Sequence, residues 1–230
     1  GSNVALITPF KNNGLDEETY VKLIHFHIDN GTNGLVPAGT TGESPTLSHD
    51  EHMDIVKRCI DVVKGRIPVI AGSGSNSTKE AIDLTVSAKE AGADGALIVT
   101  PYYNKPTQMG LEAHYKKIAD SSVIKNILYN VPSRTACDLE PETVNKLIHH
   151  ENIVGIKEAV DDPKRYKALI KMAKNSSKPF YVLSGDDPTY FEFMKSGGDG
   201  VISVAANVIP AQVAKIAISC LHGNFENAKE

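Results

Sequence analysis

The chain contains no tryptophan, and aromatic residues make up only 6% of it. Stacking platforms for nucleobases are built from such rings. The 24 Lys and Arg are outnumbered by 28 Asp and Glu, giving a net charge of −4. A nucleic-acid surface needs the opposite, clustered positive charge. Cysteine is scarce: Cys59, Cys137 and Cys220 are odd in number, far apart and form no Cys-x-x-Cys pair. This excludes a disulfide scaffold and fits reduced, buried thiols of a cytoplasmic protein. No apolar run reaches the ~20 residues of a membrane helix. No signal-peptide-like segment precedes the first β-type run, on which the chain begins at Gly1 without a methionine. A dinucleotide fingerprint is missing as well. Thr8-Pro9-Phe10 follows the first run, and Gly72-Ser73-Gly74-Ser75-Asn76-Ser77 lacks the third glycine. No linker or low-complexity segment interrupts the chain. What remains is 230 residues, 41% hydrophobic and 23% charged, enough for a sizeable core in a single domain over residues 1–230.

Eight β-type runs recur at similar spacing: Val4–Thr8, Gly34–Ala38, Ile67–Ala71, Ala96–Thr100, Asn126–Asn130, Ile153–Lys157, Phe180–Ser184 and Gly200–Val204. Most are continuous Val/Ile/Leu stretches, as parallel strands covered on both faces require. Helical segments alternate with them. Val21, Ile24 and Ile28 are helically spaced within Glu17–Asn30. Ser48 with Glu51, and Ser77 with Glu80, read as capping boxes. Asp162-Pro163 and Asp187-Pro188 read as caps followed by first-turn prolines. Gly31, Gly92 and Gly197 mark helix ends. Eight strands, each followed by a helix, predict an α/β fold, the (β/α)8 or TIM barrel. An open doubly wound sheet is the alternative.

In a barrel, chemistry gathers at the C-terminal ends of the strands. Here those ends carry Gly39-Thr40-Thr41-Gly42-Glu43-Ser44, Thr100-Pro101-Tyr102-Tyr103-Asn104, Tyr129-Asn130-Val131-Pro132-Ser133-Arg134, Lys157-Glu158 and Ser184-Gly185-Asp186-Asp187. Lys157 is the most telling of these. Strand alternation places it on one face with Gly155 and Ile153, opposite Val154 and Ile156. A lysine ending a core strand is either a snorkelling side chain, half of an ion pair with a carboxylate such as Glu158, or an amine kept neutral for nucleophilic attack.

Metal catalysis fits poorly, because His49 and His52 lack a third ligand and open an outer helix. A phosphate site is disfavoured by two aspartates after the seventh strand, Asp187 being read as a helix cap. No Ser-His-Asp order is suggested, since no histidine lies at a strand end. Schiff-base chemistry fits. An exposed lysine titrates at ~10.4, so only about one in 2,500 is neutral at pH 7, and burial raises that share. Tyrosine and threonine hydroxyls can relay the protons of imine formation. The N–H groups of a Gly-Thr-Thr-Gly turn can cradle one carboxylate, and the Arg134 fork can bind another.

Gly39-Thr40-Thr41-Gly42-Glu43, Tyr129-Asn130-Val131-Pro132 and Gly155-Ile156-Lys157-Glu158 together resemble the motifs of the pyruvate-dependent class I aldolases, the superfamily that includes N-acetylneuraminate lyase. Ser133-Arg134-Thr135 and Thr100-Pro101-Tyr102-Tyr103-Asn104 make the dihydrodipicolinate synthases the nearest family within it. The similarity runs from Val4 to about Gly223. It implies a lyase that needs no cofactor and no metal, and that condenses pyruvate with aspartate semialdehyde in diaminopimelate and lysine biosynthesis. It further implies that Lys157 forms the imine and that Tyr129 donates and accepts protons above it. Thr40 would link Tyr129 to Tyr103 of a neighbouring subunit. Thr41 would hold the pyruvate carboxylate, Arg134 would hold that of the aldehyde, and Gly185 and the Ile202 backbone would line the pocket. Ser44, His49, His52, Asn76, Glu80 and Tyr102 match a site for inhibitory lysine, although Glu80 as a cap and solvated histidines explain the same residues. The family is a dimer of dimers, a homotetramer, and its barrel is followed by a helical extension, whereas this sequence ends at Glu230. A sugar-acid aldolase or dehydratase of the same superfamily, and a non-catalytic amino-acid-sensing barrel, are the competing functions.

Overall fold

The computed structural model describes residues 1–122 and 124–228. In chain order its elements are β1 (Ser2–Ala5), the hairpin β2 (Phe10–Lys11) and β3 (Gly14–Leu15), α1 (Glu17–Asp29), β4 (Gly34–Val36) and a 3-10 turn at Ser44–Thr46. Next come α2 (His49–Val63), β5 (Ile70–Gly72), α3 (Thr78–Glu90), β6 (Gly95–Val99), α4 (Gln108–Ser122), β7 (Lys125–Asn130), α5 (Pro132–Thr135) and α6 (Pro141–Leu147). The last third holds β8 (Ile153–Glu158), α7 (Pro163–Lys174), β9 (Tyr181–Ser184), α8 (Tyr190–Lys195), β10 (Gly200–Ser203), a 3-10 turn at Ala205–Asn207 and α9 (Pro210–Leu221). Glu230, where the sequence ends, lies outside the described residues.

Eight strands form one all-parallel sheet in the order β4-β1-β10-β9-β8-β7-β6-β5. The two edges meet through a Leu35–Val69 bridge and the bond from Leu35 N–H to Pro68 O at 3.0 Å, so the sheet closes into the (β/α)8 barrel. At that seam the backbones crowd together. A Cβ on Gly72 would stand 2.3 Å from the Ala38 carbonyl oxygen, so only glycine fits. The strands are largely apolar on both faces because both are covered. Ala5, Val36, Leu97, Ile127, Leu183 and Ile202 fill the barrel interior, while Ile98, Leu128, Ile156 and Val182 pack beneath the helices. Each fully buried Leu or Ile of this kind contributes roughly 1.5–3 kcal/mol.

The helix starts follow their caps. Ser48 and Glu51 form a complete capping box, Asp16 accepts from Thr19 N–H, and Asp162 accepts from Lys164 N–H. Gly31, Gly92 and Gly197 take positive φ at helix ends. Three expectations fail. Ile153 does not share a face with Lys157. Pairing with β7 skips a residue, Asn126 facing Ile153 and Ile127 facing Gly155, so this bulge turns Ile153 outward to join Ile156. Ser77 accepts from Glu80 N–H, but the Glu80 carboxylate does not return the bond and goes elsewhere. Asp187 caps no helix: Thr189 is the N-cap of α8, and Pro188 lies outside that helix. The hairpin, α5 and the two 3-10 turns have no counterpart in the sequence reading. Among the described residues no helix is long and apolar enough to cross a membrane.

Two interior histidines make the fold acid-sensitive. His27 and His114 are buried, each with an Nε2 that has no partner among the described residues, and burial pushes both down to about 4. The unfolded chain takes up these protons near pH 6.5, the folded chain only near pH 4. Stability is therefore present above pH 6.5 and is lost as pH falls towards 4, by up to about 3 kcal/mol per histidine. Urea unfolding at pH 7 and pH 4.5 checks this: His27→Gln narrows the gap between the two midpoints. An unchanged gap for both His27→Gln and His114→Gln contradicts it.

Candidate active site

A cavity of about 400 Å³ opens where the strands end, and Lys157 and Tyr129 stand together in its wall. They are register partners on adjacent strands, so alternation turns both side chains inward. Lys157 is 5% exposed, and its Nζ lies 4.1 Å from the centroid of the Tyr129 ring. It makes no hydrogen bond or ion pair among the described residues. Glu158 is not its partner, because that carboxylate points to the other face and pairs with Arg165.

Burial pulls the Lys157 ammonium down to about 8; the Asp187 charge opposes this shift and the Arg134 charge adds to it. At pH 7 about one molecule in eleven then carries the free amine, against one in about 2,500 for an exposed lysine. Burial raises the Tyr129 phenol, while the Thr40 side chain and the Arg134 charge hold it back. Gly185 stands directly behind the amine. A Cβ there would come within 3.0 Å of Lys157 Cε, so the lysine stem lies flat against the β9 end. Ile202 is 1% exposed within the barrel interior.

The turn after β4 supplies donors. Thr40 and Thr41 line the cavity, and their backbone N–H groups donate to nothing among the described residues. Gly42 holds the turn in place by accepting from Thr8 Oγ1 at 2.7 Å. Across the mouth, α5 projects Arg134, which has no carboxylate partner among the described residues. Tyr103 does not face this cavity. It is 88% exposed on a loop where it adopts a positive φ of 73°.

The cavity continues outward to Ser44, His49, His52, Glu80 and Tyr102. His52 is buried and lies 2.7 Å by Nε2 from the Gly72 carbonyl, so this nitrogen carries the proton. Its Nδ1 then accepts from the Ser44 hydroxyl at 3.3 Å, and burial lowers its pKa. Glu80 joins His49 Nε2 at 2.5 Å and the Ser75 hydroxyl. The Ser75 bond, more than the histidine, holds its carboxyl below the usual range. Asn76 stands behind, holding the Tyr102 carbonyl by a 3.2 Å bond. Six residues scattered over the sequence thus form one polar cluster with an anchored carboxylate.

Sequence reasoning missed Asp187 as an electrostatic neighbour of Lys157. Its Oδ2 accepts from Val204 and Ala205 N–H, both at 2.9 Å, tying the β9 loop to the β10 loop. An Asp before a proline reads as a cap, which hid this role.

The chain matches the dihydrodipicolinate synthetase family over residues 1–230. A curated relative, the 4-hydroxy-tetrahydrodipicolinate synthase of Stutzerimonas stutzeri, is 52% identical over 230 residues, covering all of this chain and 78% of the relative. The fold also superimposes on a dihydrodipicolinate synthase from Acinetobacter baumannii crystallised with pyruvate. The TM-score is 0.96 at 49% identity, covering 100% of this chain and 78% of that one. The enzyme from Cyanidioschyzon merolae with lysine bound gives 0.93 at 37% identity, with the same coverage.

Proposed function

The chain belongs to the dihydrodipicolinate synthetase family, and on that premise we propose that it is a 4-hydroxy-tetrahydrodipicolinate synthase. This lyase of the class I aldolase type condenses pyruvate with L-aspartate 4-semialdehyde in the cytoplasmic route to diaminopimelate and lysine. The observation that carries this reading is the buried Lys157 amine, pulled to about 8 and lying 4.1 Å from the Tyr129 ring.

The neutral amine attacks the pyruvate ketone. Tyr129 protonates the departing hydroxyl, and loss of water leaves an iminium. The pyruvate carboxylate sits on the Thr40 and Thr41 N–H groups and the Thr41 hydroxyl. Proton loss from the methyl group gives an enamine, whose carbon attacks the aldehyde. The carboxylate of that substrate is held by Arg134 in bidentate fashion. Attack of the second substrate's own amino group on the imine carbon closes the ring and frees Lys157. Thr40 passes protons between Tyr129 and Tyr103 of a neighbouring subunit in a homo-oligomer, a dimer of dimers. The exposure of Tyr103, turned from the cavity of its own chain, supports that contribution. Gly185 and Ile202 shape the wall behind the imine.

Mixing the protein with pyruvate and aspartate semialdehyde and following the cyclised product tests the activity. Turnover supports the reading. Turnover of a sugar acid instead, or no turnover by a sample that traps pyruvate, overturns it in favour of a sibling aldolase.

The outer cluster is proposed to bind inhibitory lysine, which the lysine-bound relative supports. Glu80 takes the ligand's ammonium, and the Ser44 hydroxyl, oriented by His52, fixes its position. Millimolar lysine slows the reaction. Glu80→Ala raises the half-inhibiting concentration by about 10- to 100-fold, the value of a charged hydrogen bond. An inhibition curve identical to wild type removes this site.

A further inference from the structure

Directly behind Lys157 and Tyr129, on the outer face of the sheet, lies a polar network that none of the steps above uses. We propose that Arg165 is a positioning residue that holds the Lys157 amine and the Tyr129 phenol in place from the far side of the barrel wall. The inference deepens the reading of Lys157 as the imine-forming amine and rests on it.

Arg165 extends from the first turn of α7 and is almost buried, its side chain 12% exposed. Its Nε donates to Glu158 Oε2 at 2.8 Å. Its two terminal nitrogens clasp both oxygens of Asp138 at 2.9 and 2.8 Å, and one of them also reaches the Leu139 carbonyl at 2.5 Å. Four of the five guanidinium donors are thereby committed. Asn130 closes the circuit. Its Nδ2 donates to Glu158 Oε1 at 3.0 Å and Asp138 Oδ1 at 2.9 Å, and its Oδ1 accepts from Leu139 N–H at 2.9 Å.

The placement gives the network its purpose. Glu158 follows Lys157, and Asn130 follows Tyr129. The two pairs are neighbours in the ladder, Tyr129 facing Lys157 and Asn130 facing Glu158. Fixing the outward pair, Glu158 directly on the guanidinium and Asn130 through the two carboxylates that it holds, fixes the inward pair, since adjacent side chains on a strand take opposite faces. Elsewhere this outer face is covered by apolar residues such as Leu128, Ile156 and Val182. Stability alone does not ask for charges here, because a well-packed apolar replacement of a buried ion pair is often neutral or stabilising. Among the described Asp, Glu, Lys and Arg residues only Lys157 and Glu158 are buried, so the buried charge of this outer face stands at the strand end beside the amine, where the direction of a side chain matters most.

The groups facing the amine itself are the Tyr129 phenol from β7, the Asp187 carboxylate from the loop after β9 and the Arg134 guanidinium from α5. None of them belongs to the network. A change at Arg165 therefore reaches Lys157 through its position and hydration.

The test is an NMR titration of the Lys157 Cε methylene, in the full chain, for wild type, Arg165→Lys and the charge-neutral double variant Arg165→Met/Glu158→Gln. Arg165→Lys keeps the charge and loses the fork. The expected result is that the Lys157 midpoint rises by at least about one unit, towards the value of a solvated lysine, as water reaches the amine. The rate constant kcat per folded site falls at least about tenfold, while KM for pyruvate stays within about threefold. Should Arg165→Lys fail to fold, the double variant decides by the same two readouts. A lower melting temperature with an unchanged Lys157 midpoint and kcat makes the network purely structural and overturns the proposal. The titration needs no pyruvate. A wild type that traps none ends the functional reading, while the midpoint still decides whether Arg165 positions the amine.

Discussion

Lys157→Arg folds as the same barrel and forms no adduct with pyruvate. The guanidinium stays protonated at any working pH, so it offers no lone pair to a ketone. The loss in kcat is at least about a thousand-fold, or roughly 4 kcal/mol of barrier, because the covalent route is gone. The substitution also fixes a charge where the lysine can shed one. The residue is 5% exposed, so the melting temperature drops by several degrees. Circular dichroism separates the two effects: a native spectrum with no activity is the expected pair of results. An active Lys157→Arg enzyme would mean that a different lysine carries the chemistry.

Tyr129→Phe tests the second half of the site. It keeps the ring over the Lys157 amine and removes only the hydroxyl. Burial, the leading cause of the depressed lysine pKa, is preserved, so the pH dependence of pyruvate trapping keeps its midpoint. Every proton transfer of imine formation and enamine chemistry loses its donor, which costs about 10²- to 10⁴-fold in kcat. KM for pyruvate moves little, since the carboxylate cradle lies in the Thr40–Thr41 turn. Steady-state kinetics check this. A kcat within threefold of wild type would assign the relay to another group. Asp187→Asn gives a smaller effect of opposite kind: removing the one negative charge that raises the Lys157 pKa moves the trapping midpoint to lower pH.

Much of this is legible in the sequence, for physical reasons. Buried parallel strands leave continuous apolar runs, and eight of them with capped helices between leave few folds to choose from. A barrel places its strand ends at one mouth, so Thr40, Tyr129, Arg134 and Lys157 can be assembled without coordinates. The cluster of Ser44, His49, His52 and Glu80 comes from resemblance, and the geometry brings those residues to one cavity. What escapes notice has no local signature. The bulge opposite Asn126 obeys no period, so strict alternation puts Ile153 on the wrong face. Asp187 sits before a proline, as a cap does, yet it bonds to Val204 and Ala205. Arg165, Asp138 and Glu158 come from the first turn of α7, the loop between α5 and α6 and the end of β8, and only the folded chain brings them together. Asn130 and Glu158 stand inside the recognised motifs, but their outward network becomes visible only once the two strands are seen in register. Helix α5 is four residues long, too short for any periodicity, although it carries Arg134.

The central claim is that Lys157 is the imine-forming amine, its neutral form made accessible near pH 8 by burial. Borohydride added to the wild-type protein with pyruvate, followed by peptide mass spectrometry, tests it most directly. The expected result is one reduced pyruvate adduct per chain, on the peptide containing Lys157, with a yield that rises with pH through about 8. A folded sample that traps no pyruvate, or traps it on another lysine, contradicts the claim.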